Sequence, residues 1–177
     1  MLPLGTTAPD FFLPNSIDER PYSFADLHSP VGTVVMFLCN HCPYVVFINA
    51  ALVALAKEYQ AKGFAFIGIS SNNAEKYPAD SYENMKIHAA EVGYPFPYLY
   101  DESQEVARAY DAACTPDFYV FNGYDNLVYR GQIDSARPSN GQTPDGSDLR
   151  LVLDSLISGD EINPLQRPSA GCNIKWK

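Results

Sequence analysis

Val31-Gly-Thr-Val-Val-Met-Phe-Leu-Cys39-Asn-His-Cys42-Pro-Tyr-Val-Val-Phe-Ile-Asn-Ala50 joins two differently patterned segments across a pair of cysteines. Residues 31–38 form a short, continuous apolar run rich in β-branched side chains, the pattern of a strand buried on both faces. Residues 43–62 place Val46, Ala50, Val53, Leu55, Ala56 and Tyr59 near helical spacing. Pro43 in the first turn and Gly63 at the end match the proline-start, glycine-stop asymmetry of helices. The cysteines therefore stand at a strand-to-helix junction, with Cys39 expected at or near the helix N-terminus.

Outward from this stretch the alternation continues. Residues 64–70 read as a second buried strand, followed by a polar turn containing Asn72 and Asn73. A helix is expected over 81–92, a strand over 96–100 and a short helix over 103–110. Residues 117–122 and 126–132 read as strands joined by Gly123-Tyr-Asp125 in a hairpin. A last amphipathic helix spans 146–157 and stops at Gly159. Upstream, 11–27 holds short apolar pieces around a turn at Asp18-Glu-Arg20, and 134–147 reads as an exposed loop. Arg130 reads as a surface or loop-tethering ion-pair residue. This order gives an α/β fold, a central mixed sheet flanked by helices, with an N-terminal extension and an irregular C-terminal tail. One domain over 1–159 is expected, with the tail, 160–177, packed on it.

The composition narrows the functions. Of 177 residues, 46% are hydrophobic and 13% aromatic, enough for a core and unlike a disordered chain. The net charge of −9 would repel phosphate backbones and anionic lipid, which argues against nucleic acid and membrane as partners. The mostly apolar stretch 45–56 is too short to cross a bilayer. No basic residue precedes Arg20 and no signal-like apolar run opens the chain, so a cytoplasmic location is expected.

Four cysteines are present: Cys39, Cys42, Cys114 and Cys172. A C-x-x-C pair serves either as a redox dithiol or as half of a metal site, and no second such pair follows. A cysteine is nucleophilic as its thiolate, and helix N-termini and neighbouring cations stabilise that anion. Position would favour a Cys39 thiolate, His41 could add positive charge, and Cys42 is placed to resolve a mixed disulfide. The alternative is copper(I) or zinc held by Cys39, Cys42 and Cys114 with His41 or Cys172. Cys172 lies in the tail near Trp176; it is either a third thiol brought back to the pair or a packed or free one.

Ala8-Pro-Asp-Phe11, Phe37-Leu-Cys39-Asn-His-Cys42-Pro-Tyr44, Asp101-Glu-Ser-Gln-Glu-Val-Ala107, Thr115-Pro116 and Tyr129-Arg-Gly131 carry a resemblance to a known group. The chain resembles the thioredoxin-fold redoxin superfamily, in particular its peroxiredoxin-like, thiol–disulfide oxidoreductase branch. The similarity runs over nearly the whole chain, including Gly171-Cys172 to Trp176. It implies a dithiol that reduces, oxidises or isomerises protein or small-molecule disulfides, supplied by an electron donor the sequence does not identify, with no organic cofactor. It also implies that Cys39 attacks, Cys42 resolves, and Thr115-Pro116 is a cis bond facing the dithiol, where the Thr115 backbone binds substrate. Cys114 would then lie close by, as a relay thiol, a metal ligand or a small buried residue. By resemblance to C-P-H-C proteins, His41 should make the dithiol more oxidising. The chain departs from its relatives at two places. Met36 stands where peroxiredoxins carry a hydroxyl three residues before the reactive cysteine, so efficient peroxidase chemistry is not expected, and a weak thiol peroxidase using Cys39 is the remaining alternative. Thr33 stands where thioredoxins bury an aspartate.

Overall fold

The computed structural model describes residues 2–177. The chain opens with a small hairpin, β1 (Phe12–Pro14) and β2 (Pro21–Ser23), turning at Glu19 with φ 62. Ser23 then caps α1 (Phe24–Leu27). Its hydroxyl accepts the Asp26 N–H while the Asp26 carboxylate accepts the Ser23 N–H, a reciprocal capping box.

The apolar run becomes β3 (Gly32–Phe37), buried throughout. Side chains alternate across a strand. Val34 and Met36 therefore enter one core, while Val35 and Phe37 enter a second on the other face. The helix after the cysteines is α2 (Pro43–Gln60), which ends just before a left-handed Gly63, φ 98. Its buried face differs from the one expected. Val45, Ile48, Leu52, Leu55, Ala56 and Tyr59 point inward, whereas Val46 and Ala50 are exposed. The helix is apolar almost all round at its start, so spacing alone does not select a face; packing against the sheet does.

Then follow β4 (Ala65–Ser70), α3 (Tyr82–Val92), β5 (Tyr98–Tyr100) and α4 (Glu105–Ala109). Next come β6 (Cys114–Thr115), β7 (Asp117–Asn122), β8 (Leu127–Gly131), α5 (Ser147–Ser158) and β9 (Cys172–Asn173). The main sheet has the order β5-β4-β3-β7-β8. Strands β3, β4 and β5 run parallel, and β7 and β8 are antiparallel additions. Helices α2, α3 and α5 cover the first core, and β1, α1 and α4 cover the second. That is the expected α/β architecture, and both faces of the sheet are dry.

Two local expectations are corrected. Loop 134–147 is not wholly exposed: buried Asp134 accepts the backbone N–H groups of Ala136, Asp145 and Gly146 at 2.7–2.9 Å. Arg130 is buried rather than superficial, and of its two expected roles the structure shows the tethering ion pair. It donates to the Asp111 carbonyl at 2.6 Å, pairs with Asp117 at 3.3 Å and lies over the Tyr119 ring.

Beyond α5, residues 160–177 run back across the domain. Gln166 accepts the Arg130 N–H, Gln132 donates to the Arg167 carbonyl, and the Ser169 hydroxyl donates to Asp117. A Cβ on Gly131 would stand 2.1 Å from that Arg167 carbonyl oxygen, so the approach requires glycine. The segment then pairs β9 antiparallel with β6, Thr115 opposite Cys172. Among the described residues no helix is long and apolar enough to cross a membrane.

Candidate active site

Cys39 and Cys42 lie past the C-terminal end of β3, the central strand. Helix α2 begins at Pro43, so Cys42, not Cys39, is its N-cap. Orphan backbone N–H groups and the positive end of the helix therefore face the second cysteine. Both residues are about 1% exposed, and all four cysteines are free thiols.

The two sulfurs act directly on one another. Cys42 is drawn below its ordinary value by the hydrogen bond from Cys39, by Cys172, and by the Val45 N–H; burial opposes these effects. Cys39 is pushed up by its hydrogen bond with Cys42, by burial and by the nearby Asp80 carboxylate, although the Thr115 hydroxyl, 3.3 Å away, pulls it down. These directions favour an anion on Cys42 over one on Cys39. Cys42, as the N-cap, stands closer than Cys39 to the positive end of the helix.

A buried carboxylate braces the motif. Asp80, fully buried at the end of a 3-10 turn (Pro78–Asp80), accepts the Asn40 N–H and an Asn72 side-chain N–H, each at 2.8 Å. Its third contact is His41, whose Nδ1 is 2.8 Å from Asp80 Oδ2. The His41 ring is partly exposed and stacks parallel to Tyr77. Asn40 is buried and fully engaged, its amide donating to the Ala79 carbonyl and accepting the Tyr98 hydroxyl. Sequence reading overlooked Asp80 and Tyr98. An aspartate just before a helix normally reads as a solvated cap, and nothing local marks it as the acceptor for a loop forty residues upstream.

The Thr115–Pro116 bond is cis. The Thr115 carbonyl faces Cys42 Sγ at 3.4 Å while its hydroxyl faces Cys39. The backbone edge expected to be open for substrate is instead occupied by β9. Cys114, on the other side of the strand, turns its thiol toward the Pro116 carbonyl, 3.9 Å away, and lines a cavity of about 170 Å³ with Arg130 and Ser169. Burial pushes it up to about 12. Thr33 cannot stand in for a proton-relaying aspartate, because its hydroxyl accepts the Ser29 N–H. The metal-type ligands that converge among the described residues are Cys39, His41 and Asp80, within 4.8 Å of one another. That set differs from those expected, since it contains Asp80 and lacks Cys42, Cys114 and Cys172.

A mixed sheet with a C-x-x-C pair at the head of α2, set against a cis Thr-Pro, defines a thioredoxin-fold redoxin. The profile of the AhpC/TSA family matches residues 4–130. The chain belongs to that family. It is 55% identical to an uncharacterized conserved protein from Geobacillus kaustophilus, with a TM-score of 0.98 over 100% of this chain and 94% of that one. A hypothetical protein from Sinorhizobium meliloti is 42% identical, TM-score 0.96, over 100% and 96% of the two chains. A thiol:disulfide interchange protein from Chlorobium tepidum shares the fold at 20% identity, TM-score 0.66, over 89% and 99%. No curated relative matches the chain.

Proposed function

We propose that this protein is a thiol–disulfide oxidoreductase whose Cys39–Cys42 pair cycles between dithiol and disulfide. The observation that carries the reading is a pair of buried sulfurs at the head of α2, both facing Thr115 of the cis Thr115–Pro116 bond at 3.3–3.4 Å. A thiolate held by backbone donors is the attacking form in disulfide exchange. Cys42 attacks one sulfur of an incoming disulfide, forming a mixed disulfide and expelling a thiolate. Cys39 then attacks Cys42 Sγ, closing the 39/42 disulfide and releasing the second substrate thiolate. His41, Asp80 and Asn40 position the loop between the two sulfurs, and a separate electron donor restores the dithiol. Protein or small-molecule disulfides are the substrate class.

Insulin reduction with a chemical reductant tests this. Activity is expected in the native chain, with loss in Cys42→Ser and an accumulating mixed disulfide on Cys42 when its resolving partners are removed. Native activity no higher than that of Cys42→Ser overturns the assignment. A second reading, a thiolate-selective cation such as zinc or copper(I) on Cys39, His41 and Asp80, is favoured only by their convergence. Stoichiometric metal in chelator-free protein, protecting Cys39 from alkylation, is the outcome that reading requires.

A further inference from the structure

We propose that Cys172 is a third redox thiol, which resolves a disulfide formed on Cys42 and does so because the C-terminal strand delivers it there. The inference rests on the thiol–disulfide exchange proposed above and extends it to a residue outside the C-x-x-C pair.

Three observations place this sulfur at the site. First, β9 adds to the edge of β6, with Cys172 directly opposite Thr115, the residue whose carbonyl and hydroxyl face Cys42 and Cys39. Second, Cys172 lies near enough to Cys42 for the two thiols to shift one another, and it packs against the core that contains Cys39 and Cys42. Third, the chain is held tightly on either side. A Cβ on Gly171 would stand 1.9 Å from the Thr115 carbonyl oxygen, so only glycine lets the strand come this close. Beyond Cys172, the Ile174 N–H donates to the Ala113 carbonyl and its side chain is buried in the second core. Lys175 donates its N–H to Asn72 and accepts from the Asn73 N–H and the Gln104 side chain. The Lys177 N–H reaches Gln104, and the Trp176 ring lies against Arg108. Ordering a chain end costs about 1–2 kcal/mol per residue of backbone entropy, and here that cost is met by contacts that fix one sulfur against another. Cys114, by contrast, faces the Pro116 carbonyl and is not delivered to the pair.

The chemistry balances without any further oxidant. In a mixed disulfide Cys42–S–S–R, the Cys172 sulfur attacks Cys42 Sγ. The Cys42–Cys172 bond forms, the bond to R–S breaks, and R–S⁻ leaves, taking the proton that Cys172 loses. The substrate disulfide ends as two thiols and Cys42 and Cys172 as one disulfide. Attack by Cys39 on Cys42 Sγ then converts this to the 39/42 disulfide and frees Cys172, with no net electron transfer. The electrostatics fit the order of steps. In the dithiol, burial and the Cys42 charge push Cys172 up to about 11, while Lys175 draws it down. Once Cys42 is bonded to sulfur that opposing charge is gone, so the Cys172 thiolate becomes accessible at the step that uses it.

The test uses the full chain with Cys39→Ser, treated with oxidised glutathione, acid-quenched and mapped by mass spectrometry without reduction. The expected product is a Cys42–Cys172 linked peptide, with little glutathione on Cys42. The Cys39→Ser, Cys172→Ser double variant should retain at least about tenfold more of that adduct. If the single variant keeps the adduct as fully as the double one, or links Cys42 to Cys114, the proposal is overturned while disulfide exchange stands. If Cys42 takes up no glutathione in either variant and the native chain forms no 39/42 disulfide, exchange itself fails. Should Cys39→Ser not fold, native protein given limiting oxidised glutathione must yield the 42/172 peptide beside the 39/42 one; its absence overturns the proposal.

Discussion

Replacing Ile174 with alanine isolates the tail's hold on the dithiol. The side chain is 3% exposed and belongs to the second core, yet the strand just before it, β9, makes no part of the main sheet. Truncating a buried isoleucine to alanine costs about 2–5 kcal/mol; at a terminal strand, where neighbours can close in, the lower part of that range, about 2–3 kcal/mol, applies. The cost falls first on the equilibrium between docked and undocked tail, because local opening is the easiest way to escape it. Since about 1.4 kcal/mol is a factor of ten, the undocked population should rise about 30- to 150-fold. Two readouts follow it. Trp176 is the single tryptophan and lies against Arg108, so its emission reports undocking. Iodoacetamide labelling of Cys42, resolved by mass spectrometry with Cys114 as internal reference, reports access. Native labelling should be slow, and the variant's rate should rise in proportion to the open population. A labelling rate within about twofold of native, with Trp176 emission showing the tail released, would refute the idea that the tail covers Cys42.

Two further outcomes follow from the buried ionisable groups. Asp80→Asn removes the charge that pushes Cys39 up and the acceptor that holds Asn40, Asn72 and His41. The Cys39 thiol should titrate lower, visible in the thiolate ultraviolet absorbance of a Cys42→Ser background, and stability should fall by about 2–3 kcal/mol as charged hydrogen bonds are lost. An unmoved titration curve would contradict that account of Cys39. Cys114 has a folded value raised from 9.0 to about 12 by burial. Its contribution to stability is therefore full below about pH 9 and is lost as the pH climbs toward 12, where the unfolded chain has released the proton and the folded one has not. Urea melts should show native protein losing stability faster with pH than Cys114→Ala across that window, by at most about 1 kcal/mol per pH unit because this half-buried thiol is partly screened by solvent; parallel losses would rule out a Cys114 kept neutral by the fold.

Much of the framework was legible from local pattern. The 31–38 run had to be a central strand because only a sheet covered on both faces tolerates eight residues with no polar side but Thr33. Pro43 and Gly63 bracketed the long helix because proline and glycine act through their own backbone geometry, whatever they pack against. The face that α2 buries was not legible, because an apolar girdle carries no phase. Nor was the role of loop 134–147, where the composition of a surface turn concealed the carboxylate of Asp134 that organises it.

For the candidate site, the sequence alone determined which side chains carry sulfur, their spacing, and their place between a buried strand and a helix. Only the tertiary structure decided which cysteine caps the helix, what braces the loop, and what lies across it. Asp80 meets Asn40 across forty residues, and Cys172 meets Thr115 across a strand pairing that joins the last turn of chain to its middle. Charge and access at a buried thiol depend on every donor and wall within a few ångströms. Those neighbours are gathered from the whole chain by packing, and no local stretch encodes them.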